Sequence, residues 1–444
     1  MPSDALDVPN LLTPAGWDCV PLDSLVDEQR GISYGIVQPG RHDADGVPIV
    51  RVNNLKRGRI HTDDVLRVSA DIESNYRRTR LHGGEILLSL VGTLGECAVV
   101  PADLAGWNVA RAVAVIPLRP GIDPHWVLMC LRSANVQDLM RAWATTTVQA
   151  TLNLRDVRRL PTLLPPPPIR ESVTKVVKHL DDKIEQNRRT AQALERLARA
   201  IFRAWFVDFE PVKAKAAGAT TFPSMPQPVF DALPTRFVDS AIGPVPEGWE
   251  VKSITQIATF LNGLALQKYP PRNDGEDLRV IKIAQLRKGS TEGADWANSD
   301  VPRQYIVDDG DLLFSWSGTL EAEFWFGGKG ALNQHLFKVT STHFPIWFCF
   351  LWIRHHLPDF RTIAAGKATT MGHIQRSHLQ DAHVVVPPKD TLQKAHAIIG
   401  ALYDLHAQSI IESRHLAALR DYLLPQLLSG NVRVKDAERR ETAA

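Results

Sequence analysis

The chain has 444 residues, of which 44% are hydrophobic and 23% charged, with 51 Lys plus Arg against 49 Asp plus Glu. These values are typical of a globular protein and exclude a collagen-like chain, a disordered acidic protein and a small disulfide scaffold. The net charge of +2 also excludes a protein that wraps DNA by bulk charge, so any nucleic-acid contact must come from local patches.

The sequence predicts a cytoplasmic protein. Residues 1–12 lack a basic start followed by an apolar run, so no secretory signal is expected, and the apolar stretch 344–353 is too short to span a bilayer. Without CxxC spacing, the cysteines are expected to stay reduced and to build no zinc knuckle. They are Cys19, Cys97, Cys130 and Cys349.

An internal repeat runs through the chain. Gly16-Trp17-Asp18 returns as Gly248-Trp249-Glu250, and residues 84–94 return as residues 310–320 with the same Gly-Thr-Leu ending. Residues 162–166 return as 384–388, at an offset of 222 that later positions keep. Matches in this order predict a tandem duplication.

Each copy begins with short β-type runs, such as 48–52, 86–91 and 111–117 in the first copy. They are rich in Val and Ile and are separated by Gly, Asn and Asp turns, as in an irregular half-buried sheet. A proline run, 165–168 or 387–388, then precedes a long helical pattern. The expected fold is α+β, with two similar β-rich globular units and two long helices.

The first helical pattern is an uninterrupted heptad seam. Its members are Val173, Val177, Leu180, Ile184, Asn187, Ala191, Leu194, Ala198, Ile201 and Trp205. A helix from about Glu171 to Phe206 would be roughly 55 Å long. The second copy carries both apolar and polar residues on its seam, namely Ile399, Leu402, His406, Ser409, Ser413, Leu416, Arg420, Leu423 and Leu427. Pro425 is expected to kink or end that helix near Leu424.

Antiparallel pairing of the two helices would cover both seams and hold the globular units apart. The alternative is that each helix packs on its own globular part. Asn187 and Ser409 occupy equivalent polar seam positions, which fits either a device that fixes the helix register or a solvated gap.

The predicted boundaries follow from these patterns. Residues 208–246 contain seven prolines and little periodicity, which is typical of an extended linker. The segments are a first globular domain at 1–168, a long helix at 169–207, the linker at 208–246, a second globular domain at 247–390, a second long helix at 391–430 and a tail at 431–444.

No catalytic motif is found, so no catalytic residue, bound metal or cofactor is predicted for this chain. Gly327-Gly328-Lys329-Gly330 lacks the hydroxyl of a phosphate-binding loop, and neither proline run fits a methyltransferase motif. Asp208, Glu210 and Lys213 resemble a nuclease triad only in composition, because no strand framework would aim them at a metal. The spacing of His373, His378 and His383 fits neither a helix face nor a strand.

The remaining candidates are polar and basic residues at predicted turns, of the types that read base edges and hold phosphates. For any single one, a solvated surface side chain is the simpler interpretation. In the first copy they are Arg51, Asn53, Asn54, Lys56, Arg57, Arg59, Arg77, Arg78, Thr146, Thr147 and Gln149. In the second copy they are Lys282, Gln285, Arg287, Lys288, Ser315, Ser317, Asn333, Gln334, His335, Lys367, Thr369, Thr370, Gln375 and Arg376.

Three segments carry a family resemblance. Residues 201–215, IFRAWFVDFEPVKAK, resemble the end of the central helix in specificity subunits of type I restriction-modification systems. Residues 246–251, PEGWEV, resemble the opening of their second target recognition domain, and residues 423–430, LLPQLLSG, resemble their C-terminal end. The Glu-Gln pair that commonly opens each long helix is replaced by Arg170-Glu171-Ser172 and Thr391-Leu392-Gln393.

The resemblance implies a non-catalytic DNA-binding subunit whose two target recognition domains each read half of a bipartite, asymmetric site in double-stranded DNA. It also implies partners: two methyltransferase subunits that use S-adenosylmethionine to methylate adenine, and restriction subunits that use ATP and Mg for antiviral defence. The same chain would serve a modification-only or other defence complex. A coiled-coil adaptor that does not bind DNA is the alternative from another class.

Overall fold

The computed structural model describes residues 13–144, 150–366 and 372–434. The chain divides into two compact units: Met1–Lys183 with His415–Ala444 is the first unit, and Ile184–Arg414 is the second. Both divisions fall inside long helices, so each long helix contributes one part to each unit.

The first unit is a mixed α+β body. Its strands are β1 (Asp18–Pro21), β2 (Ser33–Tyr34), β3 (Val47–Val50), β4 (Leu55–Lys56), β5 (Arg59–Ile60), β6 (Leu66–Val68), β7 (Ile86–Ser89), β8 (Cys97–Val99), β9 (Asn108–Val109), β10 (Val113–Ile116) and β11 (Pro161–Leu164). Its helices are α1 (Ala70–Ser74), α2 (Pro124–Arg132), α3 (Ala134–Trp143), α4 (Leu154–Arg158) and the first part of α5 (Pro167–Phe202). The strand orders are β2-β10-β7-β8, β6-β3-β9, β4-β5 and β1-β11.

Strand β7 lies between two hydrophobic cores. Ile86 and Leu88 pack on one face against buried residues of α2, whereas Leu87 packs on the other face with residues of β9 and β10. Successive side chains of a strand point to opposite faces, so a continuous apolar run is what a strand buried on both sides requires.

The second unit repeats this plan. Its strands are β12 (Phe237–Val238), β13 (Val245–Pro246), β14 (Glu250–Ser253), β15 (Thr259–Asn262), β16 (Leu278–Ile281), β17 (Trp296–Ala297), β18 (Ile306–Val307), β19 (Leu312–Ser315), β20 (Ala322–Phe324), β21 (Gly330–Leu332), β22 (Leu336–Thr340) and β23 (His383–Val386). Its helices are α6 (Glu210–Ala216), α7 (Gln227–Asp231), α8 (Ile254–Ile257), α9 (Ile283–Lys288), α10 (Ile346–Ala365), α11 (Arg376–Asp381) and the first part of α12 (Lys389–Leu428). The strand orders include β15-β22-β19-β20, β17-β16-β21-β18 and β14-β23.

The strand registers confirm the tandem duplication. Asp18 of β1 lies opposite Leu164 of β11, and Glu250 of β14 lies opposite Val386 of β23. The parallel pair β3–β9 returns as the parallel pair β16–β21. Like Leu87, Leu313 faces a different core from its neighbours along the strand. The two copies therefore agree in register as well as in sequence order.

The apolar stretch at 344–353 lies largely in α10, whose residues from Trp347 to Ile353 are all buried in the core of the second unit. A helix that is apolar on every side is typical of a core helix. Among the described residues, no helix is both long enough and apolar enough to cross a membrane.

The heptad seam of α5 is buried along its length. Of the ten predicted positions, nine are buried and Leu194 is half-buried, whereas Leu197, which lies off the seam, is 48% exposed. On α12, Ile399, Leu423 and Leu427 are buried, and the other seam positions, including Leu402 and Leu416, are half-buried or buried. The seam was thus predicted correctly from the heptad spacing.

Contacts within each unit show that α5 and α12 run antiparallel. In the first unit, Val173 and Val177 share a hydrophobic cluster with Leu423 and Leu427. In the second unit, Ile201 and Phe202 share a cluster with residues 392–403. The predicted antiparallel pairing is confirmed, and both helices also pack on globular parts of the units to which they contribute.

One local prediction was wrong. Residues 208–246 do not form an extended linker: Val212 and Phe230 are 0% and 1% exposed and pack with Trp249 in the core of the second unit. Prolines do not exclude helices here, because Pro211 and Pro228 occupy the first turns of α6 and α7. In a first turn the backbone N–H that proline lacks would have no partner within the helix.

The ends of the long helices also differ from the prediction. Helix α5 begins at Pro167, earlier than Glu171, because proline fits a first helical turn, and it continues from Phe202 into a π-helical turn, Arg203–Val207. Pro425 does not end α12 near Leu424, since the helix reaches Leu428, and the kink expected at this position stays a prediction. The burial of Leu428 in the Val173 cluster offsets the loss of one backbone hydrogen bond.

Asn187 is suited to fixing the helix register, since it is 5% exposed and its Nδ2 donates to Glu412 Oε2 at 2.7 Å. Ser409 instead donates to Leu405 O of its own helix. We expect Asn187→Ala to lower the unfolding free energy by about 1.5 kcal/mol, since it removes a hydrogen bond to a charged group. Urea unfolding measures this loss.

Ser409→Ala is the matched control, because its hydroxyl bonds only locally, and it should change the unfolding free energy by less than about 0.5 kcal/mol. Equal losses in the two variants would contradict the role given to Asn187.

Candidate nucleic-acid interface

A basic hairpin lies on the first unit. The turn between β4 and β5 consists of Arg57 and Gly58, whose φ angles are 55° and 77°. Two successive residues with positive φ are what a type I′ hairpin turn requires. Lys56 and Arg57 are exposed, so the turn presents two cations to solvent.

Arg59 fastens this hairpin to α5. Its Nη2 donates to Asp181 O at 3.1 Å and to Asp182 Oδ1 at 3.2 Å. The Asp181 carboxylate also pairs with Arg132 of α2 at 3.3 Å and with Arg420 of α12 at 2.6 Å. We call these residues the Asp181 cluster; they connect the hairpin, α2 and both long helices within the first unit.

Two other predicted residues near the hairpin are used internally. Asn54 is 3% exposed, and its Nδ2 donates to His61 O and Asp64 O at 3.0 and 2.8 Å. Arg51 pairs with Asp64 at 3.1 Å. A buried amide with satisfied hydrogen bonds stabilises a loop rather than reading a base. Asn53, in contrast, is exposed.

Arg77 and Arg78 are exposed on a short 3₁₀ helix that two buried carboxylates hold in place. Glu73 is 2% exposed and bonds Arg80, and Glu85 is 3% exposed and bonds Arg30 at 2.6 Å. Arg30 also donates to Arg80 O at 2.7 Å. The hydrogen bond from Arg80 holds the pKa of Glu73 below its usual range, although burial opposes this, and Asn108 adds to the lowering.

In the second unit, α9 and its N-cap residue Lys282 include four predicted residues in different environments. Lys282 pairs with Asp295 and lowers the pKa of that carboxyl, and Lys288 pairs with Glu292 at 2.7 Å. Gln285 is 7% exposed and its side chain accepts from the backbone N–H of Lys282. Arg287 is exposed. Gln285 is therefore a capping residue, and the three cations face solvent.

The predicted residues Ser315, Ser317 and 333–335 meet at the end of the sheet β15-β22-β19-β20. Ser317 Oγ lies 2.9 Å from His335 Nδ1, and the backbone N–H of His335 donates to Asn333 Oδ1 at 3.2 Å. Ser315 is fully buried and its hydroxyl donates to Thr319 O at 2.7 Å, so it holds a turn instead.

Sequence reasoning missed the centre of this group, Trp316. Its ring centroid lies 5.8 Å from that of His335 and 6.4 Å from that of His373. Its indole Nε1 donates to Asn262 Oδ1 at 2.9 Å and to Gln334 O at 3.1 Å. A Trp between two serines at a strand end was the available signal, but only polar and basic residues were taken as candidates. Trp296, which is 45% exposed beneath the Arg279 guanidinium, lies in a different sheet and outside this group.

The other predicted residues lie at the start of α11 or outside the described residues of the two copies. Gln375 and Arg376 are exposed at the start of α11. Thr146, Thr147 and Gln149, and in the second copy Lys367, Thr369 and Thr370, fall outside the described residues. Within the described ranges, no group of three or more His, Cys, Asp or Glu residues is arranged to hold a metal ion.

Comparison with known proteins gives this arrangement a family context. Residues 246–419 match the family model for the type I restriction modification DNA specificity domain. The chain is 22% identical over 370 residues to the type I restriction enzyme MjaIX specificity subunit of Methanocaldococcus jannaschii, covering 80% of this chain and 78% of that protein. This chain is a homologue of type I specificity subunits.

Two further comparisons agree with this homology. The type I restriction enzyme EcoBI specificity subunit of Escherichia coli is 31% identical over 167 residues, which are 37% of this chain and 35% of that protein. The crystal structure of the type I restriction-modification S subunit from M. genitalium has a TM-score of 0.54 and 12% identity, and covers 95% of this chain and 98% of that chain. That structure supports the fold, and the resemblance to specificity subunits that the sequence motifs carry is confirmed.

The Glu73–Arg80 pair predicts a pH dependence. A carboxyl whose folded pKa lies below its usual 4.5 stabilises the fold above that pH and loses this contribution as the pH falls further. We expect Glu73→Gln to lower the unfolding free energy by about 2 kcal/mol at pH 7. In urea unfolding, the difference from the parent chain should shrink steadily below the usual carboxyl pKa.

Glu28→Gln provides the comparison, because Glu28 is 81% exposed in its pair with Arg119. It should change the unfolding free energy by less than about 0.5 kcal/mol, both at pH 7 and below the usual carboxyl pKa. A Glu73→Gln difference that stays constant with pH would contradict the assigned pair.

Proposed function

We propose that this chain reads a bipartite, asymmetric site in double-stranded DNA, with one half-site recognised by each unit. The observation that carries the proposal is the duplication of a complete unit, strand register included. Two copies of one scaffold with different surface side chains are suited to two different half-sites. Homology to DNA specificity subunits supplies the class of ligand.

The exposed cations of each unit support this role. Lys56, Arg57 and Arg77 of the first unit and Arg287 of the second are exposed on short turns and helices. Arg and Lys neutralise phosphates, and Arg also reads guanine in the major groove. A net charge of only +2 implies that partner subunits provide part of the phosphate contacts that bind DNA.

The chain is further proposed to be the non-catalytic scaffold of its complex. Two methyltransferase subunits would bind it and bring S-adenosylmethionine, and restriction subunits would bring ATP and Mg, so the chain itself would hold no cofactor. Its location would then be the cytoplasm, with those partners. Absence of the restriction subunits would give a modification-only complex built on the same chain.

Methylome sequencing tests the proposal. Cells that carry this chain with its methyltransferase partners should show methylated adenines in one bipartite, asymmetric motif with an undefined gap. Purified chain alone should transfer no methyl group to DNA. A continuous motif, or no new methylation in cells where all the subunits are present and assembled, would refute the proposed function.

A further inference from the structure

The two units share one backbone arrangement at the end of the four-stranded sheet. After β2 and after β15 the chain passes a glycine, Gly35 or Gly263, where a Cβ would lie 2.1 Å from Val109 O or 2.3 Å from Asn333 O. Only glycine fits such a close approach of two backbones. The next residues, Ile36 and Leu264, bond the neighbouring strand at 2.7 and 3.0 Å.

Further backbone hydrogen bonds match pairwise. The bond from Leu90 N to Ala112 O, 2.9 Å, corresponds to that from Trp316 N to His335 O, 3.4 Å. The bond from Arg111 N to Ile36 O corresponds to that from Gln334 N to Leu264 O, at 2.8 and 2.9 Å. The equivalent side chains on this shared backbone are therefore Tyr34, Leu90, Arg111 and Ala112 in the first unit, and Asn262, Trp316, Gln334 and His335 in the second.

These side chains differ in chemistry although their backbone does not. Tyr34 is 41% exposed, and Leu90, at the position equivalent to Trp316, is aliphatic and has no N–H donor that could orient it. In the second unit, Asn262 is exposed and Trp316 is half-buried beneath it. A duplicated scaffold that keeps its turns and changes its exposed side chains is what two readers of different sequences require.

Trp316 fixes the orientation of the Asn262 amide. An indole N–H is only a donor, so the atom that faces it at 2.9 Å must be the amide oxygen Oδ1. The amide nitrogen Nδ2 is then directed away from the indole, and among the described residues it has no hydrogen-bond partner. His335 packs against the Trp316 ring and is itself bonded to Ser317 at 2.9 Å, which holds the indole in place.

We propose that Asn262 is a specificity-determining residue of the second unit and that Trp316 is its positioning residue. The presented Nδ2 group donates hydrogen bonds to a guanine, whose O6 and N7 are both acceptors in the major groove. An Asn that reads adenine uses its amide oxygen and nitrogen together, and here the oxygen is engaged by Trp316. This proposal rests on the proposed function.

The test uses the full chain assembled with its methyltransferase partners. Once the bipartite motif is known, methylation rates are measured on DNAs that carry each of the four bases at every position of the second half-site. Asn262→Ala and Trp316→Phe should each reduce discrimination about tenfold at the same single guanine. Discrimination in the first half-site should stay unchanged, and the two effects should not add in the double variant.

Two further variants separate positioning from general damage. Asn262→Asp replaces the donor with an acceptor, so preference at that base pair should shift towards cytosine, whose amino group donates. Trp296→Phe, an exposed Trp of the same unit outside this group, should leave every preference unchanged.

The outcomes distinguish this proposal from the function on which it rests. If the parent complex recognises no bipartite motif, the proposed function fails. If the parent does so but Asn262→Ala keeps full discrimination at every position of the second half-site, this proposal alone fails. It also fails if Trp316→Phe slows methylation equally on all DNAs, because that result indicates a purely structural role.

Discussion

The seam between α5 and α12 is the interaction on which the rest of the structure depends. An apolar stripe on an isolated helix would face water, and burying it against a second stripe removes that cost. Because each helix contributes to both units, the seam is part of two hydrophobic cores. The polar interruptions are also paired: Asn187 bonds Glu412 in the second unit, and Arg420 bonds Asp181 in the first.

The same helices hold the candidate interface of the first unit. The hairpin that carries Lys56 and Arg57 is fixed to α5 through Arg59, and the carboxylate of Asp181 joins Arg132 and Arg420. In the second unit, Arg354 of α10, which lies at the repeat position of Arg132, pairs with Glu195 of α5 at 3.6 Å. Ion pairs between globular part and helix thus recur in both copies, although the acidic partners differ.

Periodic and repeated features could be predicted from the sequence, because each of them involves many positions of the chain. The a/d seam and the duplication rest on many residues, and single exceptions such as Asn187 do not hide them. Features that depend on one residue in context were not predicted: Pro425 lies inside a helix that continues to Leu428, and Pro211 and Pro228 lie in the first turns of short packed helices. Composition alone cannot distinguish such short packed helices from an extended linker.

The candidate site could be predicted only in part from the sequence, for the same reason. Residue type separates polar from apolar side chains but not exposed from buried ones, so Asn54, Gln285 and Ser315, all buried, were grouped with exposed cations such as Arg57. Trp316 and Asn262 were missed because their relation is a hydrogen bond between strands far apart in sequence. Only the fold brings them together.

Exchange of one recognition domain tests the central claim, that each unit reads its own half-site. Residues 1–166 are replaced by the corresponding domain of another specificity subunit, while Asp181 and both long helices are kept, and the methylated motif is sequenced in cells. The account predicts that one half-site changes and the other remains. A change in both half-sites, or in neither while methylation persists, would contradict it.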